Sequence, residues 1–103
     1  MKSLALLAVV ALSASGGPAL ADLDEMYKAK NCFACHRIEA NHLGPSFKSV
    51  AAKYAEDKGA AARLAQKIRE GSVGVWGASP MPAQTQVTEA EAATLARWIM
   101  EVK

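Results

Sequence analysis

The chain has 103 residues, 51% of them hydrophobic, with 12 basic and 10 acidic side chains and a formal net charge of +2 at pH 7. That length sets a single small domain. The near balance of charge excludes the strongly basic face that nucleic-acid binding requires.

Residues 1–21 have the form of a secretory signal peptide. Lys2 supplies a basic start, Leu4 to Leu12 is an unbroken apolar run, Gly16-Gly17-Pro18 breaks it, and Ala19-Leu20-Ala21 matches a small-residue cleavage site. The apolar run falls well short of the roughly 20 residues of a membrane-spanning helix, so stable membrane insertion is not expected. Cleavage after Ala21 leaves residues 22–103 as one exported domain. A chain this short buries only about 60–65% of its unfolded surface and needs a staple beyond its own core.

Leu23 to Lys30 reads as a helix. Asp22, Asp24 and Glu25 suit its positive end, and Lys28 and Lys30 its negative end. Leu23, Met26 and Tyr27 share one face. Asn41 to Ser46 reads as a loop around Gly44-Pro45, and a short helix follows with Phe47, Val50, Ala51 and Tyr54 at helical spacing. Asp57-Lys58-Gly59 is a turn. Ala60 to Glu70 is rich in strong helix formers and stops at Gly71. Gly71 to Gln86 has no periodicity and five Gly or Pro breakers; a loop this long in so small a domain is functional or disordered. Thr88-Glu89-Ala90-Glu91 is a capping box. The last helix is expected from about Glu89 to Val102, with Leu95, Trp98, Ile99 and Val102 as its apolar stripe. The fold class is all-α, about four short helices.

The stretch that carries chemistry lies between the first two helices. Cys32-Phe33-Ala34-Cys35-His36 places two thiols two residues apart and an imidazole directly after the second, the attachment pattern of a c-type haem. Thiols at this spacing can add across the two vinyl groups of one porphyrin, and the adjacent histidine is held under the metal as proximal ligand. A thioredoxin-like redox pair expects a βαβ context that the chain lacks. A zinc site from Cys32, Cys35, His36 and His42 matches no common spacing, and a plain disulfide in an exported domain is the remaining alternative.

A haem held by one histidine either takes a second protein ligand or stays open for chemistry. Met26 and Met100 sit on helix faces better explained as core. His42 follows His36 too closely to cross to the other face of a porphyrin and reads as an exposed loop residue. Met81 lies in the irregular loop, far enough along the chain to reach that face. Pro80 and Pro82 fix φ on both sides, and Pro80 restricts Ser79 to extended backbone. Met81 is the expected sixth ligand. His/Met ligation raises the potential relative to His/His and closes the iron to substrates.

These residues resemble the short bacterial class I cytochromes c of the c-551/c-552 type. The resemblance covers essentially the whole chain after residue 21. It is carried by Cys32 to His36, Leu43-Gly44-Pro45, Gly71-Ser72-Val73-Gly74-Val75-Trp76-Gly77, Pro80-Met81-Pro82 and Leu95-Ala96-Arg97-Trp98-Ile99. It implies one haem c, covalent through Cys32 and Cys35 and attached outside the cytoplasm, with His36 and Met81 as axial ligands. The Pro45 carbonyl is implied to accept a hydrogen bond from the other ring nitrogen of His36, and the Trp76 indole N–H to reach a haem propionate. Lys67 or Arg69 is implied near a propionate, and Trp98 in the core. One departure stands out: the type often carries Pro-Met-Pro-Pro and then an asparagine near the methionine sulfur, where this chain reads Met81-Pro82-Ala83-Gln84-Thr85-Gln86. Gln84 or Gln86 is the candidate substitute.

The function so implied is that of a monomeric, periplasmic electron carrier, not an enzyme. It takes electrons from a quinol-oxidising complex or another cytochrome and passes them to a terminal reductase, such as nitrite reductase, or an oxidase. Lys28, Lys30 and Lys48 are candidates to ring the exposed haem edge. The rival functions are a haem enzyme or gas binder with an open sixth position, and an exported thiol-disulfide oxidoreductase.

Overall fold

The computed structural model describes Ala8 and residues 20–103, with side chains from Asp24 onward. The expected signal peptide thus lies almost wholly outside the described residues. Four α-helices follow in chain order: α1 (Leu20–Ala29), α2 (Phe47–Lys53), α3 (Ala60–Glu70) and α4 (Glu89–Met100). A 3-10 turn at Cys32–Ala34 separates α1 from α2. Among the described residues the β-pairing is one isolated antiparallel bridge, between Ser72 and Met81. None of their helices is long and apolar enough to cross a membrane.

Local chemistry sets the helix ends. Asn31 follows α1 in a left-handed conformation, φ 64°, which Asn tolerates better than most residues; it turns the chain into the cysteine motif. Ser46 caps α2: its hydroxyl accepts from the Ser49 N–H at 3.0 Å. Thr88 and Glu91 complete the expected capping box of α4. The first helix starts three residues before its predicted boundary and the last ends two residues before its own. Backbone bonds from Glu101 to Trp98 and from Val102 to Ile99 tighten the final turn beyond the α4 boundary.

α4 is the hub, packing on α3, α2 and α1. Its Ala92, Leu95, Ala96 and Ile99 are buried, the i, i+3, i+4, i+7 pattern of one helix face. Small Ala92 and Ala96, both fully buried, let the neighbouring helices approach closely. Tyr27, Phe47 and Trp98 meet edge to face, with centroids 5.6–5.9 Å apart, a favoured aromatic geometry. Trp98 is thus in the core, as expected. This aromatic cluster ties α1, α2 and α4 together behind the cysteine motif.

A candidate haem pocket

One cavity of about 330 Å³ opens between the cysteine motif, α3, α4 and the loop 71–86. It collects the predicted site residues: Cys32, Cys35, His36, Pro45, Trp76 and Met81 all line it. Its floor is apolar, built from Phe47, Val50, Leu64, Ile68, Leu95 and Ile99. Phe33, Leu43, Val73, Val75 and Trp76 are large apolar side chains left exposed, and Leu43, Val75 and Trp76 line the cavity.

His36 is fixed from several sides. Its Nδ1 lies 2.8 Å from the Pro45 carbonyl oxygen. A carbonyl only accepts, so Nδ1 carries the proton and the neutral ring keeps its lone pair on Nε2, the nitrogen left to ligate. The ring stacks on Phe47, centroids 5.0 Å apart and planes 24° from parallel. On another side lies Gly44, where an added Cβ would stand 2.7 Å from His36 Cε1 and 2.9 Å from Nδ1. Gly44 is held there by its own N–H donating to the Cys35 carbonyl at 2.8 Å. The buried Tyr27 hydroxyl donates to the His36 carbonyl at 2.6 Å. Burial pushes the Tyr27 hydroxyl above its ordinary pKa, so it stays a donor. Gly44, Phe47 and Tyr27 were read from the sequence as turn or core; their shared contact is His36, nine or so residues away on either side.

Both cysteines are half-buried. Burial pushes the Cys32 thiol above its ordinary pKa, so this environment does not make it a reactive thiolate of the redox-enzyme kind. Among the described residues no three His, Cys, Asp or Glu side chains converge as metal ligands. His42 is exposed and does not line the cavity, which removes the four-ligand zinc arrangement.

Met81 is presented by backbone. Its N–H donates to the Ser72 carbonyl at 2.8 Å, and its carbonyl accepts from the Ser72 N–H at 3.0 Å. Gly71 makes this pairing possible. It adopts φ 82°, and a Cβ there would lie 2.6 Å from the Met81 carbonyl oxygen. Gln84 lines the cavity, but its amide donates to the Pro82 carbonyl at 2.8 Å. Gln86 is turned away altogether and donates to the Lys30 carbonyl at 2.9 Å.

The basic residues sort differently from expectation. Lys67 lines the cavity and Arg69 does not. Lys28 pairs with Asp24 at 2.9 Å and Lys30 with Glu91 at 3.3 Å. Neither they nor Lys48 borders the cavity. Trp76 is 42% exposed, and the Lys53 ammonium sits 5.5 Å from its ring centroid, within cation–π range. The Lys53 contact had no signal in the sequence.

The residues present fit a covalently held haem. Two thiols, a histidine with one anchored nitrogen and a thioether all border one apolar cavity, and no other donor cluster competes among the described residues. The comparisons with known proteins agree. The cytochrome c family model matches residues 21–103. The chain belongs to the cytochrome c family. It is 48% identical to cytochrome c-551 of Pseudomonas aeruginosa over 100 residues, 97% of this chain and 94% of that protein. It is 47% identical to cytochrome c-552 of Hydrogenobacter thermophilus over the full length of both. The crystal structure of wild-type Nitrosomonas europaea cytochrome c552 superposes with a TM-score of 0.76 at 48% identity, covering 78% of this chain and 99% of that one. The all-α architecture is therefore the class I cytochrome c fold. Members of the family are electron-transfer proteins with haem c bound through two cysteines, and Cys32 and Cys35 are the two this chain has.

Proposed function

We propose that this cytochrome is a monomeric, periplasmic single-electron carrier whose haem c is joined at Cys32 and Cys35 and ligated by His36 and Met81. The observation that carries the reading is the convergence of His36 and Met81 on one apolar cavity, the first with its Nδ1 committed to Pro45. When bound, the haem supplies a one-electron Fe(III)/Fe(II) couple. The chain's own residues do the rest. Pro45 orients the His36 ring and makes Nε2 a better donor. Met81 offers a thioether, which favours the reduced metal over what a second histidine would give, and its presence as ligand leaves no position for a substrate. Phe47, Val50, Leu64, Ile68, Leu95 and Ile99 exclude water. Such a site changes its coordination little between oxidation states, which suits electron transfer and not catalysis.

Trp76 at the mouth offers an indole N–H, and Lys67 a cation, to the haem propionates. The donor in this reading is a quinol-oxidising complex or another cytochrome, and the acceptor a nitrite reductase or terminal oxidase. The exposed apolar residues at the mouth suit brief docking through a small interface. The export signal read in residues 1–21 supports the periplasmic placement.

Absorption spectra of the purified oxidised and reduced protein test the core of this reading. The expected result is a pyridine haemochrome of the c type, a low-spin spectrum, a weak sulfur-to-iron band in the oxidised form, and negligible carbon monoxide binding at neutral pH. Rapid carbon monoxide binding to the reduced protein would show an open sixth position and overturn it.

A further inference from the structure

We infer that Lys30, Gln86 and Gln84 form a polar clip that holds the Met81 leg of the loop against the end of α1, making Lys30 and Gln86 positioning residues for the sixth ligand. Lys30 lies two residues before Cys32, and Gln86 five after Met81. The two exchange bonds across 56 residues of chain: the Gln86 amide donates to the Lys30 carbonyl at 2.9 Å, and the Lys30 ammonium donates to the Gln86 carbonyl at 3.1 Å. The Gln86 amide also donates to the Gln84 amide oxygen at 2.8 Å, and the Gln84 amide donates to the Pro82 carbonyl at 2.8 Å. The chain of contacts therefore runs from the segment carrying the cysteines to the residue next to Met81.

Glu91 fixes the other side of Lys30. One carboxylate oxygen accepts from the Lys30 ammonium at 3.3 Å and the other from the Thr88 N–H at 3.0 Å. The pair is partly shielded, with side chains 26% and 27% exposed, against 65% and 55% for Lys28 and Asp24. The clip acts on a leg with two apolar anchors, the half-buried Met81 packed against the core and the buried Val87 next to Gln86, and few backbone ones. Residues 73–80 are exposed and make no backbone hydrogen bond outside the regular helices, so Met81 leans on its bridge to Ser72 and on the 82–86 segment. That segment adds one backbone bond to α3, from Gln84 to the Ile68 carbonyl at 2.9 Å. Releasing Met81 is then a local opening, whose equilibrium the clip opposes directly.

The inference rests on Met81 being the sixth ligand, and its test separates the two. Imidazole binding to the ferric holoprotein is followed spectroscopically in wild type, Met81→Ala, Gln86→Ala, Lys30→Met, Lys30→Arg and Ser46→Ala. The clip predicts slow binding in wild type and a rise of roughly three- to tenfold in Gln86→Ala and Lys30→Met, the scale of one or two lost hydrogen bonds. Lys30→Arg, which keeps the charge and donors, returns the rate to near wild type. Ser46→Ala removes a helix cap remote from the clip; it lowers the unfolding midpoint and leaves the imidazole rate unchanged. If wild type is slow but Gln86→Ala and Lys30→Met match it, the clip is wrong and Met81 ligation stands. If Ser46→Ala accelerates binding as much as they do, the effect is general destabilisation and the clip is again wrong. If wild type binds as fast as Met81→Ala, Met81 is not the ligand and the clip falls with it.

Discussion

The two sides of the pocket hold their candidate ligands by different means. His36 is surrounded within a short stretch of sequence: Pro45 accepts from its ring, Gly44 and Phe47 press on its faces, and Tyr27 bonds its carbonyl. All four partners are buried or half-buried, and Tyr27 and Phe47 belong to the aromatic cluster that ties the helices together. Met81 sits at the end of an exposed loop; it is half-buried against the core and otherwise held by two backbone bonds to Ser72 and a largely polar clip to Lys30. Packing in a close-packed core resists displacement over its whole surface, whereas a loop held by a few exposed hydrogen bonds opens locally at low cost. The histidine side is therefore the rigid half of the site and the methionine side the half that yields first.

The largest expected effect in this contrast comes from Met81→Ala. On the proposed ligation it opens the sixth position, admits carbon monoxide, and lowers the potential by tenths of a volt, a fraction of the roughly 0.8 V over which axial ligands set haem potentials. A potential and spectrum equal to wild type would remove Met81 from the site. The two glycines come next. Gly71→Ala forces a side chain into φ 82° with extended ψ, a region open essentially to glycine alone, and into the Met81 carbonyl, a cost of about 1–3 kcal/mol for the backbone alone. Gly44→Ala strikes the His36 ring, an overpacking of about 1–3 kcal/mol. Denaturant midpoints measure both, but the loop variant should also speed imidazole binding, while the Gly44 variant should instead shift the histidine's spectroscopic signature.

Tyr27→Phe is smaller, about 1 kcal/mol for one hydrogen bond, read from the same midpoints. Its pH dependence is the sharper measurement. Burial raises the folded-state pKa of Tyr27, so its contribution is fully present below the ordinary tyrosine value of about 10 and is lost as the pH rises through the higher folded value. The stability gap between wild type and Tyr27→Phe should narrow on that alkaline limb. Glu91 gives the smallest and opposite effect. The Thr88 N–H, and behind it Lys30, hold its carboxyl below the ordinary range, so its contribution is present above about pH 4 and disappears as the pH falls through the lowered value. Stability titrated against pH should lose this acid-limb component in Glu91→Gln.

Much of this was legible in the residues. Some helix boundaries carried chemical labels: the capping box at Thr88 and Glu91 and the breaker at Gly71 placed the start of α4 and the end of α3 to the residue, because caps and breakers act over one turn. Boundaries without such labels moved, as at the start of α1 and the end of α4. The cofactor motif needed no folding to be read, since Cys32, Cys35 and His36 are contiguous. The partners of the lysines read as candidates to ring the haem edge came from the folded chain. The Asp24–Lys28 pair is an i, i+4 contact open to a one-dimensional reading, whereas Lys30 is met by Glu91 from the other end of the chain, which only folding brings about. Of the two candidates to stand near the Met81 sulfur, Gln86 bonds Lys30 instead, while Gln84 lines the cavity and bonds Pro82. A flexible amide takes whichever carbonyl the backbone brings within reach.

What the sequence determined by itself is the chemistry: covalent attachment at Cys32 and Cys35, a histidine beside them, a proline-flanked methionine in an irregular loop, and four helices to enclose them. These follow from contiguous residues and short periods, which survive without tertiary contacts. What only the tertiary structure decided is how firmly each side of the site is held. Gly44, Phe47 and Tyr27 became supports of His36, and Lys30 met Gln86, only when the helices packed. Those contacts depend on distances between segments, which no local pattern encodes.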